Sequence, residues 1–356
     1  MKKLAILPLS LLLLAASCSD EKETPRPPVP QDPVTSVESV ADIVNVNVPE
    51  QDLEYTIEGN LYSFNYANGQ VITYSMVQNN SQYGNIAIVR KIKGASEIII
   101  PPVVKIIGAT SGQEVEYKVM ALSLYQDCAA GVKKITLPKT AVASVGSSNS
   151  INEITAKWFR DQIEMMPDLE DFELETGYPN FCSIKGAVYT ADFKNLVAVP
   201  RAKTGVFTIA DATTTVESYS LSYCNRITGI TFPASITNIQ KNAVEFNDQL
   251  VLINMLPAEA PETDVNAFGK MAQTSLLRIP AGSKASYFPV KPDMQAPVMP
   301  AEPPIDCTDE EYEAYENAMI EYEELNRAYT EAMSVYTRPA GFRLFNNVEE
   351  VSFTQN

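Results

Sequence analysis

The chain contains no histidine among its 356 residues, and this absence removes several classes of function. Histidine is the usual general base, the commonest metal ligand and the group that activates serine or cysteine nucleophiles in most hydrolases. The glycine patterns of nucleotide-binding loops and the acidic pattern of EF-hand loops are missing as well. We therefore predict no catalytic residue, no metal site and no cofactor.

Basic residues are also few. Lysine and arginine number 27 against 44 aspartate and glutamate, which gives a formal net charge of −17. Such a chain repels the phosphate backbone of nucleic acids, and no basic amphipathic stretch offers contact with an anionic membrane. We expect no nucleic-acid partner, and contact with a membrane only through a lipid anchor.

The N-terminus has the form of a bacterial lipoprotein signal. Two lysines precede an apolar run that is too short for a permanent membrane span, and small residues then lead to Cys18. This arrangement resembles the lipoprotein cleavage box, which implies a signal peptide over residues 1–17 and lipidation of Cys18. An ordinary secretory signal is the alternative.

A proline-rich segment follows the cysteine. Residues 18–49 are predicted to form an extended tether, because their prolines favour polyproline conformations that bury little. The acidic pair Asp20-Glu21 resembles a surface-export tag, which favours a lipid-anchored protein on the outer membrane that faces the cell surface. A lipoprotein that faces the periplasm is the alternative.

A short apolar pattern recurs along most of the remaining chain. It reads apolar-x-x-apolar-x-apolar, as in "ITGITF" and "LVLINM", and its successive copies lie 37, 37, 35, 23, 23 and 24 residues apart, beginning at Ala95, Val132, Leu169, Thr204, Ile227, Leu250 and Thr274. The alternation makes one face of a brief strand apolar, and stacked copies can bury that face against one another. We predict a single curved array of parallel strands over residues 95–280 with one continuous core.

The residues that precede the later copies repeat too. Val216, Leu221, Tyr223 and Cys224 recur 23 residues later as Ile239, Val244, Phe246 and Asn247. Together with "LLRIPAGSKASY" and "GFRLFNNVEEV", these units resemble the BspA-like leucine-rich repeat family over about residues 95–288 and 341–351. The resemblance implies a β-rich solenoid, a leucine-rich-repeat array of short parallel strands with an N-terminal β cap and a C-terminal helical insertion.

The cysteines divide into two groups in this pattern. Cys128 and Cys224 fall where the family places a small buried group, and we expect buried free thiols there. Cys182 and Cys307 have no such place, and the spacing chooses no disulfide pairing.

Segments that flank the repeats at 95–288 have their own patterns. Residues 50–94 carry two β-rich runs around Asn68-Gly69, a hairpin signal, and are predicted to cap the first repeat. Residues 289–340 combine a proline-rich run with one helix, which Thr308 and Glu311 can cap and which Pro339 ends. Residues 341–356 are predicted to form the C-terminal cap.

The predicted helix carries tyrosine at every seventh residue, at Tyr315, Tyr322, Tyr329 and Tyr336. This heptad stripe predicts a helix that lies on the repeats with its tyrosines half buried. The alternative is a contact surface for a partner helix or a carbohydrate.

Three functions compete for such a chain. The first is non-catalytic recognition of, or adhesion to, an extracellular protein or glycan through the solvent-facing strand positions, with candidates Lys134, Thr136, Asp171, Glu173, Thr208, Thr231, Asn254 and Arg278. The second is an accessory glycan-binding component of an outer-membrane uptake assembly. The third is a carboxylate-based hydrolase, which needs no histidine. We favour the first.

Overall fold

The computed structural model of the chain describes residues 27–29, 36–108, 112–125, 129–145 and 151–353. Strands dominate these residues. The strands up to residue 153 are β1 (Gln51–Glu58), β2 (Leu61–Tyr66), β3 (Val71–Asn80), β4 (Gly84–Lys93), β5 (Glu97–Ile99), β6 (Val103–Ile107), β7 (Glu114–Leu122), β8 (Lys134–Leu137), β9 (Ala143–Val145) and β10 (Ile151–Glu153). The later strands are β11 (Asp171–Leu174), β12 (Phe181–Ile184), β13 (Ala187–Thr190), β14 (Asn195–Ala198), β15 (Gly205–Thr208), β16 (Thr215–Val216), β17 (Ile227–Phe232), β18 (Asn238–Ile239), β19 (Leu252–Met255), β20 (Glu262–Thr263), β21 (Leu276–Pro280) and β22 (Asn347–Val351).

Helices are few and mostly short. They are α1 (Ala156–Glu164), α2 (Lys284–Tyr287) and α3 (Asp309–Thr337), with 3-10 turns at Gly269–Gln273 and Ala340–Leu344. In the described part of the chain, none of them is long and apolar enough to cross a bilayer.

The repeated copies form parallel ladders in the predicted register. Ile135 of β8 lies opposite both Ile98 and Phe172, and Ile253 of β19 lies opposite both Ile230 and Leu277. The central and last apolar positions of all seven copies are buried, and Phe207, at 5%, is the most exposed of them. The predicted inward positions are therefore confirmed at the centre and end of each copy, whereas the first position is exposed at Thr204 and Thr274.

The prediction of one uninterrupted array is wrong. Strands β11, β8 and β5 form one ladder, here called the first ladder, and β15, β17, β19, β21 and β22 form a separate second ladder. A hairpin, β12–β13, stands between them. The Phe172 amide of β11 donates to the Gly186 carbonyl in the hairpin turn (2.9 Å), and the Leu174 amide donates to Ser183 Oγ (3.2 Å). The turn thus occupies the edge that a further repeat strand would need.

The core is divided at the same place. One cluster of buried apolar residues surrounds the first ladder and a second surrounds the second ladder. Strands β13 and β14 lie between the clusters: Val188 and Val197 belong to the first, whereas Tyr189 and Leu196 belong to the second. Both faces of these strands are apolar because each faces a core.

The N-terminal strands belong to an eight-stranded sheet in the order β1-β2-β3-β4-β7-β9-β10, with β6 paired to β7. The predicted hairpin is present: β2 and β3 pair antiparallel around a turn that contains Gly69, whose φ is +84°. The sheet also takes in β6, β7, β9 and β10 from the predicted repeat region. At the end of the hairpin, the Gln70 side chain accepts from the Ile99 amide and donates to the Ile99 carbonyl, both at 2.8 Å. It thereby covers the edge of the first ladder at β5.

Outside the second ladder, each later repeat contributes one more short strand. Strands β14, β16, β18 and β20 pair in parallel, with Val216 opposite Ile239 and Ile239 opposite Thr263. Cys224 is a buried free thiol, as predicted, and burial raises its pKa to about 12. Cys128 lies outside the described residues. At the equivalent position one repeat later, buried Asn247 accepts from the Cys224 amide (2.7 Å) and donates to the Leu221 and Val244 carbonyls.

The last part of the predicted tether is not extended in the structure. Residues 36–49, here called the strap, lie against the folded chain instead of extending from it. Val37 pairs with Ala210 and is buried in the second core, and Val44 is also buried. The Asp42 carboxylate accepts from the amides of Lys185 and Gly186, so the strap holds the same turn that interrupts the ladders.

The C-terminal part matches its predicted helix. Thr308 Oγ1 accepts from the Glu311 amide and the Glu311 carboxylate accepts from the Thr308 amide, so the capping box is complete. The pKa of Glu311 is lowered by the bond from the Thr308 amide and, to a smaller extent, by a bond that Thr308 Oγ1 donates to the same carboxylate (3.1 Å). No residue of α3 is buried. The chain then returns to the second ladder, where β22 pairs parallel with β21 and Phe342 enters the second core.

Candidate functional site

The predicted strand-face residues of the first ladder form a charged cluster. Lys134 Nζ lies 2.8 Å from Glu173 Oε1, and Thr136 Oγ1 donates to Glu173 Oε2 (3.2 Å). The hydrogen bond to Glu173 raises the pKa of Lys134. The side chains of Lys134 and Glu173 are 34% and 21% exposed, so a ligand can reach both, whereas Thr136 is buried.

Asp171 takes part in a second pair at the junction of the ladders. Lys203 Nζ lies 2.6 Å from Asp171 Oδ1 and also donates to the carbonyls of Lys185 and Glu170. The Asp171 carboxylate is therefore partly a structural partner of Lys203. Its side chain is still 42% exposed.

The second ladder departs from the prediction of a solvent-facing strand surface. Thr231 and Asn254 are only 1% and 3% exposed, and Asn254 Nδ2 donates to Thr231 Oγ1 (3.2 Å). Parallel strands lie about 4.8 Å apart, so a short polar side chain is covered by its neighbours on the adjoining strands. The same holds for Thr136 in the first ladder, and the expected exposure is wrong at all three positions. Thr208 and Arg278 are partly exposed, and Arg278 Nε bonds Glu349 Oε2 (2.9 Å).

The four predicted tyrosines of α3 share one face, and all are partly exposed. Tyr336 lies under the guanidinium of Arg343, 3.7 Å from the ring centroid. Near this end of the helix a groove of about 660 Å³ runs between Arg338 and the outer strands β18 and β20. The groove is lined mainly by polar side chains.

A second groove, of about 620 Å³, is one that the sequence reasoning did not single out. It lies between α1, the end of β14 and the turn of residues 218–223. Tyr219 and Tyr223 line it with 49% and 42% exposure, and Phe246, 44% exposed, stacks on Tyr223 with ring centroids 4.7 Å apart and an interplanar angle of 16°. We call Tyr219, Tyr223 and Phe246 the aromatic row.

Charged side chains around this groove pair with one another. Arg160 bonds Glu217 (3.1 Å) and the Val197 carbonyl, Lys157 bonds Asp161 (2.6 Å), and Arg201 lies 3.6 Å from Glu164. The Arg201 guanidinium also stands 5.0 Å from the centroid of the Tyr223 ring. The groove therefore combines exposed aromatic surface with many hydrogen-bonding groups and little uncompensated charge.

The sequence held a signal for this row. Tyr223 and Phe246 recur at the repeat interval, but the repeat pattern alone presents them as parts of the fold. Their exposure becomes visible only when the neighbouring Leu221 and Val244 are seen to fill the core and the aromatic rings to point away from it.

The described residues contain no candidate metal site and do not include the predicted lipidation site. Among the described residues, no group of three or more histidine, cysteine, aspartate or glutamate side chains is arranged to hold a metal ion. Cys18, the predicted lipidation site, lies outside the described residues.

Comparisons with known proteins give distant structural likenesses. No family model matches the chain, and no curated protein does. The pneumococcal vaccine antigen PcpA is 10% identical, with a TM-score of 0.24 over 66% of this chain and 95% of that chain. A leucine-rich repeat protein from Eubacterium ventriosum is 13% identical, with a TM-score of 0.25 over 64% and 78%. A leucine-rich cell surface protein from Faecalibacterium prausnitzii is 12% identical, with a TM-score of 0.26 over 64% and 89%.

Proposed function

We propose that this chain is a non-catalytic recognition lipoprotein on the outer face of the outer membrane. It is a leucine-rich-repeat solenoid that binds an extracellular protein or glycan through the strand face of the first ladder. The observation that carries the proposal is the register of β5, β8 and β11, which brings Lys134, Asp171 and Glu173 together on one reachable face. Parallel stacked strands of this kind provide an extended contact surface.

The strand face of the first ladder is more accessible to a ligand than the strand face of the second ladder. A ligand can exchange contacts only with groups that it can reach, and Thr231 and Asn254 of the second ladder are buried. The side chains of Lys134 and Glu173 are partly exposed and already held in place by each other. Such fixed groups lose little conformational freedom when a ligand binds.

Attachment to the membrane rests on the N-terminal signal. Cys18→Ala should abolish incorporation of labelled fatty acid and move the chain from the membrane fraction to the soluble one. Protease added to intact cells should then degrade the wild-type chain if it is displayed outside. Retention of Cys18→Ala in the membrane would refute the anchor, and full protection of the wild type would place it in the periplasm.

Binding is tested with detergent-solubilised full-length protein on arrays of extracellular-matrix proteins and glycans. The variant Lys134→Gln/Glu173→Gln removes both charges of the pair without changing the net charge. We expect it to weaken binding at least tenfold. The control Lys105→Gln/Glu114→Gln removes a similar pair (2.7 Å) from the N-terminal sheet and should leave binding unchanged.

The tyrosine face of α3 is the competing contact, because its four tyrosines remain partly exposed. Replacement of residues 308–336 by a short linker separates the two surfaces. Loss of binding in that variant alone, with normal binding in the Lys134→Gln/Glu173→Gln variant, would assign the contact to the helix and reject the strand face.

A further inference from the structure

Each residue of the aromatic row sits in a backbone conformation that bulky residues avoid. Tyr219, Tyr223 and Phe246 all have φ of +62°, in the left-handed region. There the Cβ atom crowds the backbone, and glycine or asparagine is the residue that adopts the conformation readily. Asparagine takes this conformation at Asn242, one repeat after Tyr219, with φ of +56°, and outside the row the bulkier Lys185 and Phe193 also adopt it.

The row is unfavourable for the fold in a second respect. Its three rings are 42–49% exposed, while the apolar residues beside them, Leu221 and Val244, are buried. For the stability of the fold alone, small polar residues would be more favourable than aromatic rings at these positions. Strained and exposed groups that cluster in one place indicate a role other than stability.

The geometry of the row leaves aromatic surface free. The Tyr223 ring contacts both the Arg201 guanidinium and the Phe246 ring. Phe246 is 44% exposed and no other ring or guanidinium of the described residues stacks on it, so a ligand can reach part of its ring. Tyr219 is fixed by its hydroxyl, which accepts from Asn242 Nδ2 (2.8 Å).

The chemistry of the adjoining groove defines what could bind there. Its arginines and lysine already pair with Glu217, Glu164 and Asp161, so a charged ligand would have to compete with these ion pairs. An uncharged ligand rich in hydroxyls can share the exposed hydrogen-bonding edges without disrupting the pairs. A sugar ring also has an apolar C–H face that stacks on an aromatic ring.

We propose that the aromatic row and the groove beside it form a binding site for a neutral glycan. This site is distinct from the strand face of the first ladder, and it would operate whether or not that face binds a ligand. Sugar rings stack on Phe246 and against the exposed edges of Tyr223 and Tyr219, and their hydroxyls bond the groups of the groove.

The test uses the detergent-solubilised full-length protein on an array of immobilised neutral hexasaccharides: maltohexaose, cellohexaose, mannohexaose and xylohexaose. A sulfated heparin hexasaccharide and gelatin serve as the anionic and the polypeptide probes. We expect binding to at least one neutral hexasaccharide and at least tenfold weaker binding by Tyr223→Asn/Phe246→Asn. Tyr125→Asn is the matched control, since Tyr125 is 51% exposed and also lies beside an arginine, Arg90, but does not line the groove.

The same variants separate binding from stability. Because asparagine tolerates the left-handed conformation, the double variant should unfold at the same urea concentration as the wild type or at a higher one. Phe246→Leu keeps an apolar side chain but removes the ring face, and it should also weaken hexasaccharide binding. This second variant decides the outcome if the double variant fails to fold.

Several results would overturn the proposal. These are the absence of binding to any neutral hexasaccharide, equal binding by the wild type and both aromatic variants, or binding confined to the sulfated probe or to gelatin. The variant Lys134→Gln/Glu173→Gln is run in parallel and reports on the strand face, while the control Lys105→Gln/Glu114→Gln should retain neutral-glycan binding. A failure of the aromatic row therefore leaves the strand-face proposal to be judged by its own variant.

Discussion

The two ladders share one inward pattern but end in different ways. The first has three strands, with the Gln70 side chain on its β5 edge and the hairpin turn at Gly186 on its β11 edge. The second has five strands, closed at one end by β22, while β15 at the other end pairs with no described strand except β17. The alternation of apolar and polar residues along each strand thus determines which side chains face the core. The segments between the strands determine how many strands a ladder contains.

Repeat length explains much of this difference. The copies of the first ladder begin 37 residues apart, at Ala95, Val132 and Leu169, and their intervening segments supply β6, β7, β9, β10 and α1. The later copies, from Ile227 onward, lie 23 or 24 residues apart and leave room for one short outer strand each. Long repeats build neighbouring sheets, whereas short ones stack regularly.

The largest expected effect concerns the two cores. Ile135→Asp and Ile230→Asp each place an unpaired charge at a fully buried position and should each destabilise the protein by about 4 kcal/mol or more. Urea unfolding followed by circular dichroism measures this loss. Hydrogen exchange should show lost protection mainly in the first core for Ile135→Asp and mainly in the second for Ile230→Asp. Uniform loss in both variants would mean that the two cores unfold as one unit.

The next effect tests the outer face of the second ladder. Thr231→Asp should cost about 2–3 kcal/mol, because Thr231 is 1% exposed and the carboxylate would be desolvated. Thr208→Asp, on the neighbouring strand and partly exposed, should cost less than about 1 kcal/mol. Equal urea midpoints for the two variants would show that the face at Thr231 is open to water.

These positions show what could be predicted from the sequence and what could not. The inward residues, the hairpin at Asn68-Gly69 and the capping box of Thr308 follow from local patterns, because alternation, turn chemistry and capping are local in sequence. The buried Cys224 was expected from the resemblance of its repeat unit to the family. The interruption at Gly186 depends on a contact between a hairpin turn and a strand that the repeat pattern treats as continuous. Burial of Thr231 depends on the size of the side chains on neighbouring strands.

The candidate sites divide in the same way. The residues of the strand face were predicted, but their ion pairs depend on distances across strands and on Lys203, which lies outside the repeat pattern. The repeat interval of Tyr223 and Phe246 could be seen in the sequence, but the exposed surface that they form could not. Its exposure and its left-handed backbone are three-dimensional properties that no spacing reports.

A smaller effect tests the junction between the ladders. Gly186 has φ of +71°, and a Cβ atom there would lie 2.1 Å from Asp171 Oδ1 and 2.8 Å from Asp171 Cβ. Gly186→Ala should cost about 2 kcal/mol in urea unfolding, from the strained backbone together with the clash. Gly205→Ala is the matched control, since its φ is +74° and no atom lies within 4 Å of the added Cβ, so it should cost about 1 kcal/mol. Equal costs would show that the turn does not press on β11.

The smallest effect concerns the ion pair on the face of the first ladder. A double-mutant cycle of Lys134→Gln and Glu173→Gln should give a coupling free energy of about 0.5–1 kcal/mol near pH 7, because both side chains are partly exposed. The bond to Glu173 raises the pKa of Lys134 in the folded state, so the pair stabilises fully below the pKa of an unfolded lysine, about 10.4. The coupling should hold from pH 6 to pH 9 and disappear as the pH rises through the folded pKa of Lys134. A coupling of zero at pH 7, or one that grows above pH 10, would show that the pair does not hold this face in place.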